Sequence, residues 1–195
     1  MGRSDPLLAA AEAFALPFYT QPHRAYHNAD HVRSVLGALA SRGVLTPVLA
    51  LAVWGHDLVY DPRAGDNEER SAEVFGEWLR EQGASPELEA EVRALILATR
   101  HTAPPMTRAE ALLVEADLSI LGAEPGAFAA YDAAIRQEYS FVPEQAYRGG
   151  RARVLQGFLH RERVFTTPEF AGLEERARAN LSAALDRLQE KNRPS

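Results

Sequence analysis

Two histidines stand four residues apart in the segment "YHNADHV", His27 and His31, and a His-Asp doublet, His56-Asp57, closes the apolar run "PVLALAVWGHDLVYD". A further aspartate, Asp117, lies in "ALLVEADLSILG" between Leu112-Leu113-Val114 and Ile120-Leu121. Imidazole and carboxylate are the ligands of Zn²⁺, Mn²⁺ and Fe²⁺. The set His31, His56, Asp57 and Asp117 would hold such an ion and leave positions open for water. The chain has no cysteine, so thiolate catalysis, zinc fingers, iron–sulfur clusters and disulfides are excluded, and a reducing cytosol is mildly favoured.

Helices must position these groups, because helical periodicity runs through the whole sequence and strand signals are almost absent. The spacing predicts helices near 5–19, 29–41, 46–58, 67–82, 86–100, 108–122, 125–140, 143–162 and 168–190. Thr46-Pro47 and Ser85-Pro86 each pair a capping side chain with proline in the first turn. Gly43 and Gly83 follow helix ends, where a left-handed residue is favoured. "VFTTPEF" is the one β-branched cluster, and its proline argues against a strand. The expected fold is all-α, a single domain over residues 1–195 with the C-terminal helix, about 168–190, packed on it. That helix is amphipathic, with a solvated charged face, and would equally suit pairing with another subunit.

Each candidate has a bland explanation beside the chemical one. His31 lies one turn before Val35 on the apolar stripe Val35, Leu36 and Leu39, where a lone histidine is most simply a core residue bonded to a carbonyl. Asp57 ends an apolar helix, where an unpaired carboxylate costs several kcal/mol; Arg63 or Arg70 would serve as structural partners. Asp117 faces the same problem, with Glu115 and Ser119 on other faces of its helix. One shared metal site is simpler than three separately compensated burials.

The net charge of −6 argues against general nucleic-acid binding, which needs a basic surface. No apolar stretch is long enough to cross a bilayer, so a soluble, cytoplasmic protein is expected. At 195 residues the chain can bury roughly 70% of the surface an unfolded chain exposes and needs no covalent staple. "DPRAGDNEE" fails as a calcium loop, since Arg63 stands where an oxygen ligand belongs and the glycine is misplaced. The sequon at Asn180 carries no weight without a secretion signal.

A histidine, a His-Asp doublet and a distant aspartate form the H…HD…D signature of the HD superfamily of metal-dependent phosphohydrolases. The surroundings "DNEERSA", "TRHT", "ADLSILG", "YDAAIRQEY" and "GGRARVLQGFLHR" resemble a small bacterial branch of that superfamily, from about His23 to the last helix. The resemblance implies that His31, His56, Asp57 and Asp117 bind a divalent ion (Mn, Zn, Fe, Mg or Ni). It also implies a metal-activated water, oriented by Asp57, that cleaves a small phosphomonoester or phosphodiester, nucleotides among them. "YHNADHV" further resembles the motif of cyclic-nucleotide phosphodiesterases, in which the second histidine binds metal and the first protonates the leaving oxygen. His27 would then be a general acid, a task suited to imidazole because its proton moves close to neutral pH; its bland role is to orient a ligand.

The likeness to those phosphodiesterases ends at Tyr60, which stands where they carry another histidine four residues after the doublet. Glu68 or His101 would be candidates to hold the waters of a second ion. Their simpler roles are a first-turn carboxylate and a helix-end histidine. Arg151, within "RGGRAR", is a candidate phosphate contact; its bland role is in a helix packed at a glycine pair. Two competing expectations stand beside the enzyme. One is a metal-containing module that binds a nucleotide or partner without turnover, and the other is a helical domain whose polar residues are paired internally.

Overall fold

Capping residues start helices where the sequence places them. The Thr46 hydroxyl accepts the N–H of Leu49 at 3.2 Å, and the Ser85 hydroxyl accepts that of Leu88 at 3.3 Å. Gly43 and Gly83 adopt φ of +69° and +77° just beyond helix ends, a region in which a Cβ would be strained. The computed structural model describes residues 6–190, and among these it contains nine α-helices and no strand. The all-α expectation holds. No helix among the described residues is long and apolar enough to cross a membrane. Asp5, where the first helix was expected to begin, falls outside the described residues.

The chain divides into two compact units, the first ending at Asp117 and the second beginning at Leu118. In the first, α1 (Pro6–Tyr19), α2 (Ala29–Ser41), α4 (Asn67–Glu81), α5 (Pro86–Ala98) and α6 (Arg108–Asp117) pack around α3 (Pro47–Gly55), which is buried from Leu49 to Gly55. Helix α4 packs on α5, α3 on α5 and α1, and α2 on α6. Gly55 permits the close approach at the end of α3. A Cβ there would lie 2.7 Å from both Ile96 Cδ1 and Phe75 Cδ1.

In the second unit, a 3-10 turn (Leu118–Gly122) precedes α7 (Pro125–Glu138), α8 (Glu144–Leu159), a second 3-10 turn (Ala171–Leu173) and α9 (Glu174–Glu190). Helix α9 packs on α8 and on both turns. Asn180 is buried and donates its amide to the carbonyls of Leu121 and Ala123, at 2.9 Å each, which commits the sequon to the interior. "VFTTPEF" is not a strand: Glu174 accepts the N–H groups of Val164 and Phe165, and the Phe165 and Phe170 rings stack in the core.

Several helices are shorter than their periodicity predicts. Helix α8 ends at Leu159 and not at 162, and α9 begins at Glu174 and not near 168, since the segment before it carries the buried Phe170 and the second 3-10 turn. Helix α3 stops at Gly55 instead of reaching residue 58, because the carbonyls of its last turn and exit take side-chain partners: Tyr19 Oη donates to Trp54 O, and Arg24 donates to Asp57 O and Leu58 O. The helix expected over 108–122 changes at Asp117 into the 3-10 turn, whose Leu121 carbonyl is taken by Asn180. Gly122 fits there because a Cβ would stand 2.6 Å from Leu173 Cβ.

Candidate metal centre

Asn28 fixes the start of α2. Its side-chain oxygen accepts the N–H groups of Asp30 at 2.9 Å and His31 at 3.3 Å, a cap of about 1 kcal/mol. His31 therefore falls in the first turn, ahead of buried Val32, Val35 and Leu39, and is itself 5% exposed. His56 caps the C-terminal end of α3 at 1% exposure, with Nδ1 donating to the Val53 carbonyl at 2.8 Å. Asp117 is the last residue of α6 and follows five buried residues.

These elements bring the four predicted ligands together. His31 Nε2 lies 3.1 Å from His56 Nε2, 3.1 Å from Asp117 Oδ1 and 3.4 Å from Asp57 Oδ2. His56 Nε2 lies 3.0 Å from Asp57 Oδ2 and 3.8 Å from Asp117 Oδ1. The imidazoles are buried, while each carboxylate keeps 16% of its side chain exposed, so the cluster opens on the carboxylate side. Asp57 is thus met by imidazoles and not by the arginine partner of the bland expectation. His31, His56 and Asp117 offer ligand atoms all within 4.8 Å of one another, a group that could bind a metal ion.

The donor set fits a cation. With Nδ1–H of His56 committed to Val53, the lone pair of Nε2 points at the Nε2 of His31, and both carboxylates offer only acceptors. Something positive must sit among these atoms, and without metal it is a proton. Burial pushes the His31 imidazolium down, but Asp117 and Asp57 outweigh it and lift the pKa to about 10. His56 moves the same way: burial opposes its charge, and Asp57 and Asp117 prevail. Burial pushes Asp57 and Asp117 up, but the surrounding histidines hold both well below the usual carboxylate range. A divalent ion competes with these protons for the same lone pairs.

His101 belongs to the cluster through Asp117. Its Nε2 is 3.0 Å from Asp117 Oδ2, so the carboxylate faces His31 with one oxygen and His101 with the other. Among the described residues it is the one non-glycine with positive φ, +58°, a strained conformation that often marks a functional site. The preceding Arg100 pairs with Glu69 in the first turn of α4. Glu68 is partly buried; burial raises its carboxyl pKa and the nearby Asp57 adds to the rise.

His27 lies at the edge of the cluster, its ring 5.8 Å from that of His31. Tyr60 stacks on it at 4.3 Å, and the Tyr60 ring also runs parallel to that of His23. The position that departs from the phosphodiesterase pattern therefore abuts the predicted proton donor. Arg151 lies in the second unit, where Asp132 holds its guanidinium at 2.9 and 3.0 Å beside the Tyr131 ring.

Two polar residues at this centre escaped the sequence reading. Asn28 was visible as a capping type just before the predicted helix. Arg24 had no local signal: it is 5% exposed and bonds to residues more than thirty positions away. Comparisons of the chain with protein-family models, with curated proteins and with solved structures find no match.

Proposed function

We propose that the first unit is a metal-dependent phosphohydrolase acting on a small phosphomonoester or phosphodiester, nucleotides among them. The observation that carries this reading is the convergence of two imidazole nitrogens and two carboxylate oxygens from α2, the end of α3 and α6. His31, His56, Asp57 and Asp117 would hold a divalent ion. When bound, such an ion supplies a Lewis acid that polarises a phosphoryl oxygen and acidifies water. Asp57, partly exposed, orients the attacking water. His27 protonates the departing oxygen at the rim of the same cluster. His101 holds Asp117 in register, as outer partners of metal ligands do.

The test is product release from a panel of nucleotides, phosphomonoesters and phosphodiesters with added Mn²⁺, Mg²⁺ or Zn²⁺, wild type beside Asp57→Ala. Turnover that requires metal and disappears in the variant is expected. His27→Ala should keep its metal and slow turnover by roughly 10²–10⁴-fold, the range for a lost general acid. Silence of folded, metal-loaded wild type across the panel would replace the enzyme with a binding module. Normal metal content in Asp57→Ala would remove Asp57 from the ligand set.

A further inference from the structure

We infer that Arg24 is a positioning residue that holds the proton donor His27 against the His56-Asp57 end of α3. The inference rests on the phosphohydrolase reading for the role of His27 and goes beyond it by naming what fixes that role in space. Arg24 Nη1 donates both to the His27 carbonyl at 3.0 Å and to the Asp57 carbonyl at 2.7 Å. Its Nη2 donates to the Leu58 carbonyl at 2.9 Å, and Nε to Gln21 Oε1 at 3.0 Å. The guanidinium lies near the Tyr19 and Tyr60 rings, 5.2 and 5.5 Å from their centroids.

One nitrogen thus ties the backbone of His27 to the backbone of Asp57, two residues 30 positions apart in sequence. Capping the end of α3 would need only the bonds to Asp57 and Leu58, and a cation there also suits the helix dipole. The bond to His27 is the extra one. It matters because His27 precedes α2, in a stretch of turns and bends outside the helix. The planar fork of arginine serves several carbonyls in fixed directions, which the single ammonium of lysine does not. Tyr60 completes the seat, stacked on the His27 ring and beside the Arg24 guanidinium. Three of the proposed ligands have supports of their own, His31 in the Asn28 cap on its backbone, His56 in the Val53 carbonyl and Asp117 in His101, so losing Arg24 should leave these three in place while it moves the proton donor.

The experiment uses the full chain loaded with Mn²⁺ and compares Arg24→Met, Arg24→Lys, His27→Ala and the Arg24→Met/His27→Ala double variant. Two substrates serve, an aryl phosphate ester with a good leaving group and an alkyl phosphate ester with a poor one. Arg24→Met should keep its metal and its KM but lose about 100-fold in kcat on the alkyl ester, the scale of a 1 Å misplacement, and much less on the aryl ester. The double variant should be no slower than His27→Ala. Equal losses on both esters, or losses that multiply in the double variant, would assign Arg24 a purely structural role. A second readout needs no turnover: the His27 Cε1–Hε1 NMR signal of metal-free protein, assigned with His27→Ala, should move in Arg24→Met while those of His31 and His56 stay. An unmoved His27 signal overturns the inference. If wild type hydrolyses neither ester, the kinetic comparison moves to a compound of the panel that it does hydrolyse; silence across the whole panel ends the phosphohydrolase reading, and the NMR signal still decides whether Arg24 positions His27. Should Arg24→Met not fold, Arg24→Lys is judged by the same measurements.

Discussion

Replacing Asp117 by asparagine keeps the size of the side chain and removes its charge. In the native cluster one oxygen is 3.1 Å from His31 Nε2 and the other 3.0 Å from His101 Nε2. The amide is a poor ligand, and whichever way it turns, one histidine meets an NH₂ group. Loss of an outer partner of a ligand typically costs 10–100-fold in metal affinity, so loss of the ligand charge should cost at least about 100-fold. At a free metal concentration of 100 times the wild-type Kd, metal stabilises the wild-type fold by about 2.7 kcal/mol; the variant, then near its own Kd, gains only about 0.4 kcal/mol. At roughly 2–4 °C per kcal/mol, the wild-type Tm should rise by about 5–11 °C and the variant's by less than about 2 °C. The assay is thermal melting with and without Mn²⁺ or Zn²⁺, reading the metal-induced increment. The absolute Tm is not comparable, since asparagine also deprives the metal-free imidazolium of a partner. An undiminished increment in Asp117→Asn would refute its assignment as a ligand, and no increment in wild type with any ion would refute the metal centre.

His101→Asn keeps a residue type that tolerates positive φ while withdrawing the imidazole from Asp117; metal affinity should fall about 10–100-fold with little change in metal-free stability, as isothermal titration would report. Melting of metal-free protein should follow the cluster's protons. The His31 contribution is complete below its ordinary value of 6.5 and is lost as pH rises through about 10, whereas that of Asp57 and Asp117, held low, is present above about 4 and is lost in acid. Metal affinity should rise between pH 6.5 and 10 as fewer protons compete, and an affinity that falls over that range would contradict the picture. Gly55→Ala drives a methyl to 2.7 Å from Phe75 and Ile96 and should cost about 1–3 kcal/mol in urea unfolding; a variant as stable as wild type would mean that the approach relaxes freely.

The helices were readable because their signals are local: Thr46 and Ser85 cap within three residues, and Gly43 and Gly83 stop the chain within one. The polar cluster was readable for a different reason, since His31, His56, Asp57 and Asp117 interrupt apolar surroundings in which such groups are expensive. What the sequence hid depends on partners distant along the chain. The early end of α3 is set by Tyr19 and Arg24, and the break after Asp117 involves Asn180. His101 reads from the sequence as a holder of a metal-bound water or a helix-end histidine, but its left-handed backbone and its grip on Asp117 arise only once α5 and α6 are packed together.

All four of the proposed ligands lie in the first unit, and the last of them in the chain, Asp117, is that unit's final residue. The donor set is therefore complete in covalent terms before any residue of the second unit is joined to the nascent chain. An ion held by this set would draw on the first unit alone, so the free metal around the nascent chain would bear on which ion is captured.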